Sequence, residues 1–123
     1  RVGEQLFLPP QLVNQAVKDM FRLLESAQEK LPPVLFGIRF HKDLIFIHPF
    51  MDGNGRVARL AMNTVLLQHK YLPIDISPDK IMEYHKSITA TYEDSTAFYK
   101  FMLQQAIQSY EFLLQKLKLR DLK

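Results

Sequence analysis

Residues 47–59, I-H-P-F-M-D-G-N-G-R-V-A-R, bring together a histidine, an aspartate, an asparagine, two glycines and two arginines. Each type has a use in phosphate chemistry. Gly53-Asn54-Gly55 is flexible enough to bring successive backbone N–H groups close to a ligand. It runs into the start of a helix, where unpaired N–H groups and the positive end of the dipole favour an anion. Arg56 and Arg59 stand three apart on that helix and share a face, so two guanidinium forks can reach along a polyphosphate. Asp52, at the mouth of the loop, is a poor phosphate ligand but a suitable one for Mg²⁺, which keeps waters and bridges to phosphate oxygens. His48, four residues earlier across a Pro-Phe corner, is the side chain best suited to take a proton from a hydroxyl near neutral pH. Phe50, set between the polar residues, is expected to anchor the loop in the core.

A base, a metal ligand and an anion cradle are the parts of phosphoryl or nucleotidyl transfer. The same residues also make a good glycine-rich turn between helices, with an incidental histidine and surface arginines. On residue chemistry alone both readings stand. A transition-metal site built from His41, Asp43, His48 and Asp52 is disfavoured, because the Pro49 corner breaks the helical spacing.

The elements that must hold this turn read as helices. Pro9-Pro10 opens an amphipathic helix over Gln11 to Glu29, with Leu12, Val13, Ala16, Val17, Met20, Phe21 and Leu24 on one face. Pro32-Pro33 starts a second, from about Val34 to Phe46, apolar enough to be central. A third runs from about Gly55 to His69 and ends at Lys70-Tyr71-Leu72-Pro73. Ser77-Pro78-Asp79 supplies an N-cap, a Pro at N1 and an acidic first turn for a fourth helix to about Thr91. Asp94-Ser95 restarts a long helix to about Leu117, with Phe98, Phe101, Met102, Ile107, Tyr110, Leu114 and Leu117 facing inward and residues 118–123 frayed. Only residues 1–8 look extended, as a short hairpin. The fold class is therefore all-α, and 123 residues with 47% apolar content suffice for one domain and one core.

Composition narrows the function further. There is no cysteine, which removes disulfides, thiolate metal sites and Cys nucleophiles and suits a reducing compartment. A net charge of +3, with scattered basic residues, gives no concentrated face for nucleic acid. No stretch reaches the length of a membrane span, and the first residues lack the pattern of a secretory leader. A cytoplasmic protein is expected, with secretion into a host cell left open. The chain opens on Arg1 rather than Met, which reads as a fragment with sequence upstream.

Taken whole, the central turn closely resembles the signature of the Fic family, H-P-F-x-(D/E)-G-N-G-R-x-x-R. His48, Pro49, Phe50, Asp52, Gly53, Asn54, Gly55, Arg56 and Arg59 each match. His41, seven residues before the motif histidine, and Leu8-Pro9-Pro10 before the first helix extend the likeness over nearly the whole chain. The resemblance implies an all-α Fic fold over residues 1–123 with a β-hairpin flap. It implies Mg²⁺-dependent transfer of AMP from ATP to a Ser, Thr or Tyr hydroxyl of a target protein. His48 would be the base and Asp52 the metal ligand. Asn54, with the backbone of Gly53 and Gly55, would form the anion hole; Arg56 would grip the β-phosphate and Arg59 the γ-phosphate. Leu6 and Phe7 would belong to the flap that pairs with the target, and His41 would orient the active loop.

Two departures from the family pattern matter. Where relatives often place an Asn near the nucleobase this chain has Tyr92, so Tyr84 and Tyr92 are the candidates to meet a base, and UMP or GMP transfer stays open. The nearest match to the family's inhibitory (S/T)-x-x-x-E-(G/N) helix, Thr89 to Asp94, fails at its last position. An inhibitory segment is then expected upstream, on an antitoxin-like partner in trans, or absent. Without its Glu, removal of AMP from a modified protein is the weaker alternative. A homodimer is possible. A binding module without chemistry is disfavoured by the intact set from His48 to Arg59.

Overall fold

Two proline pairs set the starts of the first two helices. In the computed structural model, which describes residues 8–121, Pro9 and Pro32 are the N-cap residues and Pro10 and Pro33 the first helical ones. Proline is favoured there because its fixed φ suits the helix and its missing N–H has no intrahelical partner to lose. The order is α1 (Pro10–Gln28), α2 (Pro33–Ile47), α3 (Asn54–Gln68), a 3₁₀ turn (Pro78–Lys80), α4 (Ile81–Ala90) and α5 (Thr96–Asp121). Among the described residues there is no strand. The hairpin flap expected near the N-terminus, with Leu6 and Phe7, lies outside the described residues.

The chain forms two compact units, Arg1–Tyr71 and Leu72–Lys123. In the first, α2 packs along α3 and α1 along α2. Its core is Met20, Leu24, Ala27, Phe36, Leu44, Ile47, Ala58 and Val65, with Leu8, Val13 and Val17 packed against it. A Leu or Met side chain buried as Leu24 and Met20 are contributes about 2 kcal/mol of apolar transfer. The helical periodicity marked this face correctly, except that Leu12 and Phe21 of α1 are exposed. Gly37 sits where α2 and α3 meet: a Cβ there would lie 3.2 Å from the Met62 carbonyl oxygen. Any larger residue would push against backbone. Lys70, in a left-handed conformation (φ 64°), closes α3, with Tyr71 N–H donating to Leu66 O and Lys70 N–H to Leu67 O. This double bond pattern ends a helix by satisfying its last carbonyls.

In the second unit, α4 packs on α5, and the Tyr84 and Phe101 rings lie 6.1 Å apart. Asp94 caps α5, its Oδ1 accepting from Thr96 N (2.9 Å) and Thr96 Oγ1 (2.7 Å). Ser77 does not cap as expected: its side chain makes no capping bond, and the chain tightens into the 3₁₀ turn before α4. The inward face predicted for α5 also needs correction. Phe98, Phe101 and Met102 are buried, but Ile107, Tyr110, Leu114 and Leu117 are exposed. The helix continues past Leu117 to Asp121. An amphipathic pattern specifies a face, not the partner that covers it.

Candidate active site

The site begins where α2 stops. Proline disfavours α-helical geometry in the residue before it, so Pro49 ends the helix at Ile47. His48 becomes the C-cap in the left-handed region (φ 53°, ψ 59°), its N–H still donating to Leu44 O at 3.0 Å. A non-glycine residue held there stores strain, on the order of 1–3 kcal/mol, that packing must offset. The result projects the imidazole out of the helix end, half-buried, and burial pushes its pKa below the ordinary 6.5. A histidine so placed is neutral at physiological pH and ready to accept a proton.

Asn54, the first residue of α3, closes the loop back on itself. Its Oδ1 accepts from Phe50 N–H at 3.0 Å, and its Nδ2 donates to Phe50 O at 2.7 Å. The same Nδ2 lies 3.2 Å from His48 Nε2. The side chain is only 6% exposed. Thus the residue expected to line an anion hole also clamps the loop and touches His48, a contact the sequence did not reveal. Nor does Phe50 anchor the loop as expected. Its ring is 49% exposed, and with Pro49 it lines one side of a cleft of about 550 Å³ whose other walls include Val17, Phe21 and Phe40. The clamp on Phe50 is made by its backbone, not its ring.

Gly53 precedes α3 with φ 80°, a conformation that L side chains rarely adopt. As N-cap it has no side chain to satisfy the first-turn N–H groups, and no acidic residue stands in that turn. The helix start therefore keeps its donors and its positive dipole end for an anion. Both arginines fold back over it. A Cβ on Gly53 would lie 3.1 Å from Arg56 Nη2, and one on Gly55 would lie 3.1 Å from Arg59 Nη1. Asp52 accepts from Gly53 N–H at 2.8 Å and stands 3.7 Å from Arg56 Nη2. Its side chain is 95% exposed. That pair is solvated and holds little. No cluster of three His, Asp or Glu that could hold a metal exists among the described residues. Asp52 fits an ion such as Mg²⁺ that takes one carboxylate from protein and its remaining ligands from phosphate and water.

His41 lies one helical stretch behind, fully buried in α2, its pKa lowered to about 4 by desolvation and then by the Arg59 charge. It is a neutral histidine linked electrostatically to the second motif arginine. The linkage joins α2 to α3 across 18 residues of sequence, and no local pattern signals it. Tyr84 and Tyr92 both belong to the second unit. Tyr84 is 2% exposed in the α4–α5 packing, which leaves its ring no open face for a base. Tyr92, in the turn after α4, is 38% exposed. Glu93 shares that turn and is exposed, so the Thr89–Asp94 stretch runs from the end of α4 into a turn. No helix among the described residues is long and apolar enough to cross a membrane.

Comparison with known proteins bears on the same residues. The model of the Fic/DOC family matches residues 1–66. A Nematostella vectensis protein named protein adenylyltransferase Fic is 37% identical over 81 residues, which is 65% of this chain and 19% of that protein. Its namesake from Drosophila grimshawi is 38% identical over 81 residues, 64% of this chain and 17% of that one. The chain spans about a fifth of the length of these curated relatives. Among solved structures, Fic-1 (aa134–508) from C. elegans has a TM-score of 0.85 at 24% identity, covering 98% of this chain and 37% of that one. That likeness shows the fold.

Proposed function

The chain belongs to the Fic/DOC family, and we propose that it is a Mg²⁺-dependent protein adenylyltransferase that moves AMP from ATP onto a Ser, Thr or Tyr hydroxyl of a target protein. What supports this most is convergence: a neutral histidine, an uncapped helix start and two guanidinium groups meet on one turn. The relatives' shared name, protein adenylyltransferase Fic, points the same way.

The residues divide the work as follows. Asn54, with the backbone of Gly53 and Gly55, receives the α-phosphate, Arg56 the β-phosphate and Arg59 the γ-phosphate, each guanidinium forking onto two oxygens. The target hydroxyl oxygen attacks the α-phosphorus while its proton passes to His48. The α–β P–O bond breaks and pyrophosphate leaves with the electron pair. Mg²⁺ bound through Asp52 would supply charge neutralisation on the phosphates. Leu6 and Phe7 belong to the target-pairing flap in this reading. Tyr92 in place of the usual Asn favours keeping UTP and GTP as alternative donors. An inhibitory segment or antitoxin-like partner that meets Arg59, and pairing of two copies, are part of the same proposal. A cytoplasmic site of action is part of the same proposal.

The test is incubation with α-labelled ATP, Mg²⁺ and a cell lysate, beside His48→Ala. Labelled protein should appear with the wild type and fall by roughly 10²–10⁴-fold with the variant, the usual contribution of a positioned base. Equal labelling by both would remove His48 from the chemistry. Label arriving from γ-labelled ATP alone would make this a kinase, and parallel UTP and GTP reactions decide the base.

A further inference from the structure

The orientation of the Asn54 amide follows from its partners. Phe50 N–H can only donate, so the atom it meets at 3.0 Å is the amide oxygen. Phe50 C=O can only accept, so the atom at 2.7 Å is the amide nitrogen. One hydrogen of that NH₂ is used on Phe50, and the other faces His48 Nε2 at 3.2 Å. A ring nitrogen facing a donor must accept. Neutral His48 therefore carries its proton on Nδ1 and turns the Nε2 lone pair toward Asn54.

That arrangement prepares the base and also occupies it. Nε2 has a single in-plane lone pair, so the Asn54 N–H and a target O–H cannot both bond to it. The contact is long for such a bond, and a neutral donor on a neutral acceptor is about half as strong as one on an anionic oxygen. Asn54 is also the first residue of α3, at the end where a phosphate would bind. A phosphate oxygen arriving there can take over the amide hydrogen.

We propose that Asn54 is a positioning residue for His48: in the substrate-free protein its amide holds the Nδ1-protonated tautomer and covers Nε2, and on nucleotide binding the amide hydrogen passes to an α-phosphate oxygen, so the base opens to the target hydroxyl only when there is a phosphorus to attack. The tautomer assignment stands on the hydrogen bonds alone. The hand-over rests on the adenylyl-transfer reading.

Long-range and conventional ¹H–¹⁵N spectra of uniformly ¹⁵N-labelled protein at pH 7.5, with His48 assigned through His48→Ala, test both parts without catalysis. The substrate-free protein should show Nδ1 protonated and Nε2 bare. In Asn54→Asp, the carboxylate keeps the bond from Phe50 N–H but can only accept from the ring, so the tautomer should switch to Nε2–H. Nε2–H in the wild type, or an unchanged tautomer in a folded Asn54→Asp, overturns the assignment. Adding Mg²⁺ and an ATP analogue with a non-cleavable α–β bridge should move the Nε2 resonance while Nδ1 stays protonated. An analogue that shifts the backbone amides of residues 53–56 but leaves Nε2 unmoved overturns the hand-over. An analogue that does not bind sinks the nucleotide reading and the hand-over together, and leaves the tautomer result standing.

Discussion

Acid should destabilise this protein through His41, and the size of the effect follows from its surroundings. The side chain is fully buried, and desolvation first and the Arg59 charge second depress its pKa from 6.5 to about 4. In the unfolded chain the same imidazole keeps its ordinary pKa, so the unfolded state takes up its proton first as pH falls. The stabilisation is fully present above pH 6.5 and is lost on the way down to about pH 4. At about 1.4 kcal/mol per pH unit, the gap sets a ceiling of about 3 kcal/mol, of which about 2 kcal/mol is gone at pH 5. That is a large share of the roughly 5–15 kcal/mol that holds a domain folded.

Urea unfolding of wild type and His41→Gln at pH 7.5 and pH 5 measures it. Glutamine stays neutral across this range, and every other titrating group is common to both proteins. The wild type should lose about 2 kcal/mol more than the variant on acidification. Equal losses would refute the reasoning, because a histidine that titrates alike in both states cannot link folding to protons. A ring titration followed by NMR supplies the second check: His41 should stay neutral through pH 5.

The same geometry carries three further predictions. Labelling activity should rise with pH and reach its plateau early, with half-maximal rate below 6.5, because burial depresses the His48 pKa and the neutral ring is the active form; a midpoint at or above the ordinary histidine value would contradict this. Arg59→Ala should weaken ATP binding by roughly 10–100-fold and ADP binding much less, the loss of one charge-assisted contact to the γ-phosphate. Equal losses in calorimetry would remove that contact, and the same variant should raise the His41 pKa by deleting the nearby cation. Gly53→Ala should cost about 1–2 kcal/mol in urea unfolding, from the left-handed conformation alone. The nearest obstacle to its Cβ is the far end of Arg56, which can move aside, so an unchanged midpoint would show that the loop relaxes out of φ 80°.

Much of the scaffold was legible because its signals are local. Pro9-Pro10 and Pro32-Pro33 start α1 and α2, apolar residues at helical spacing mark the faces that hold Met20, Leu24 and Leu44, and Pro49 ends α2. The residues of the turn, from His48 to Arg59, suit phosphate chemistry by type and order, and suit a glycine-rich turn between helices as well. Other expectations failed where the outcome depends on what stands opposite. The apolar stripe of α5 continues onto Ile107 and Leu114, which are exposed; Phe50 turns half outward; Tyr84 is consumed by packing on Phe101.

By itself, then, the sequence determined the helices, their breaks and the family-type turn between α2 and α3, since backbone preference and short-range spacing are written residue by residue. Tertiary structure alone decided how that turn is set. Which nitrogen of His48 faces Asn54 depends on a loop that bends Phe50 back onto the start of α3. That His41 is neutral depends on burial and on an arginine from another helix. Hydrogen-bond direction and desolvation are properties of neighbours in space, and only the fold brings those neighbours together.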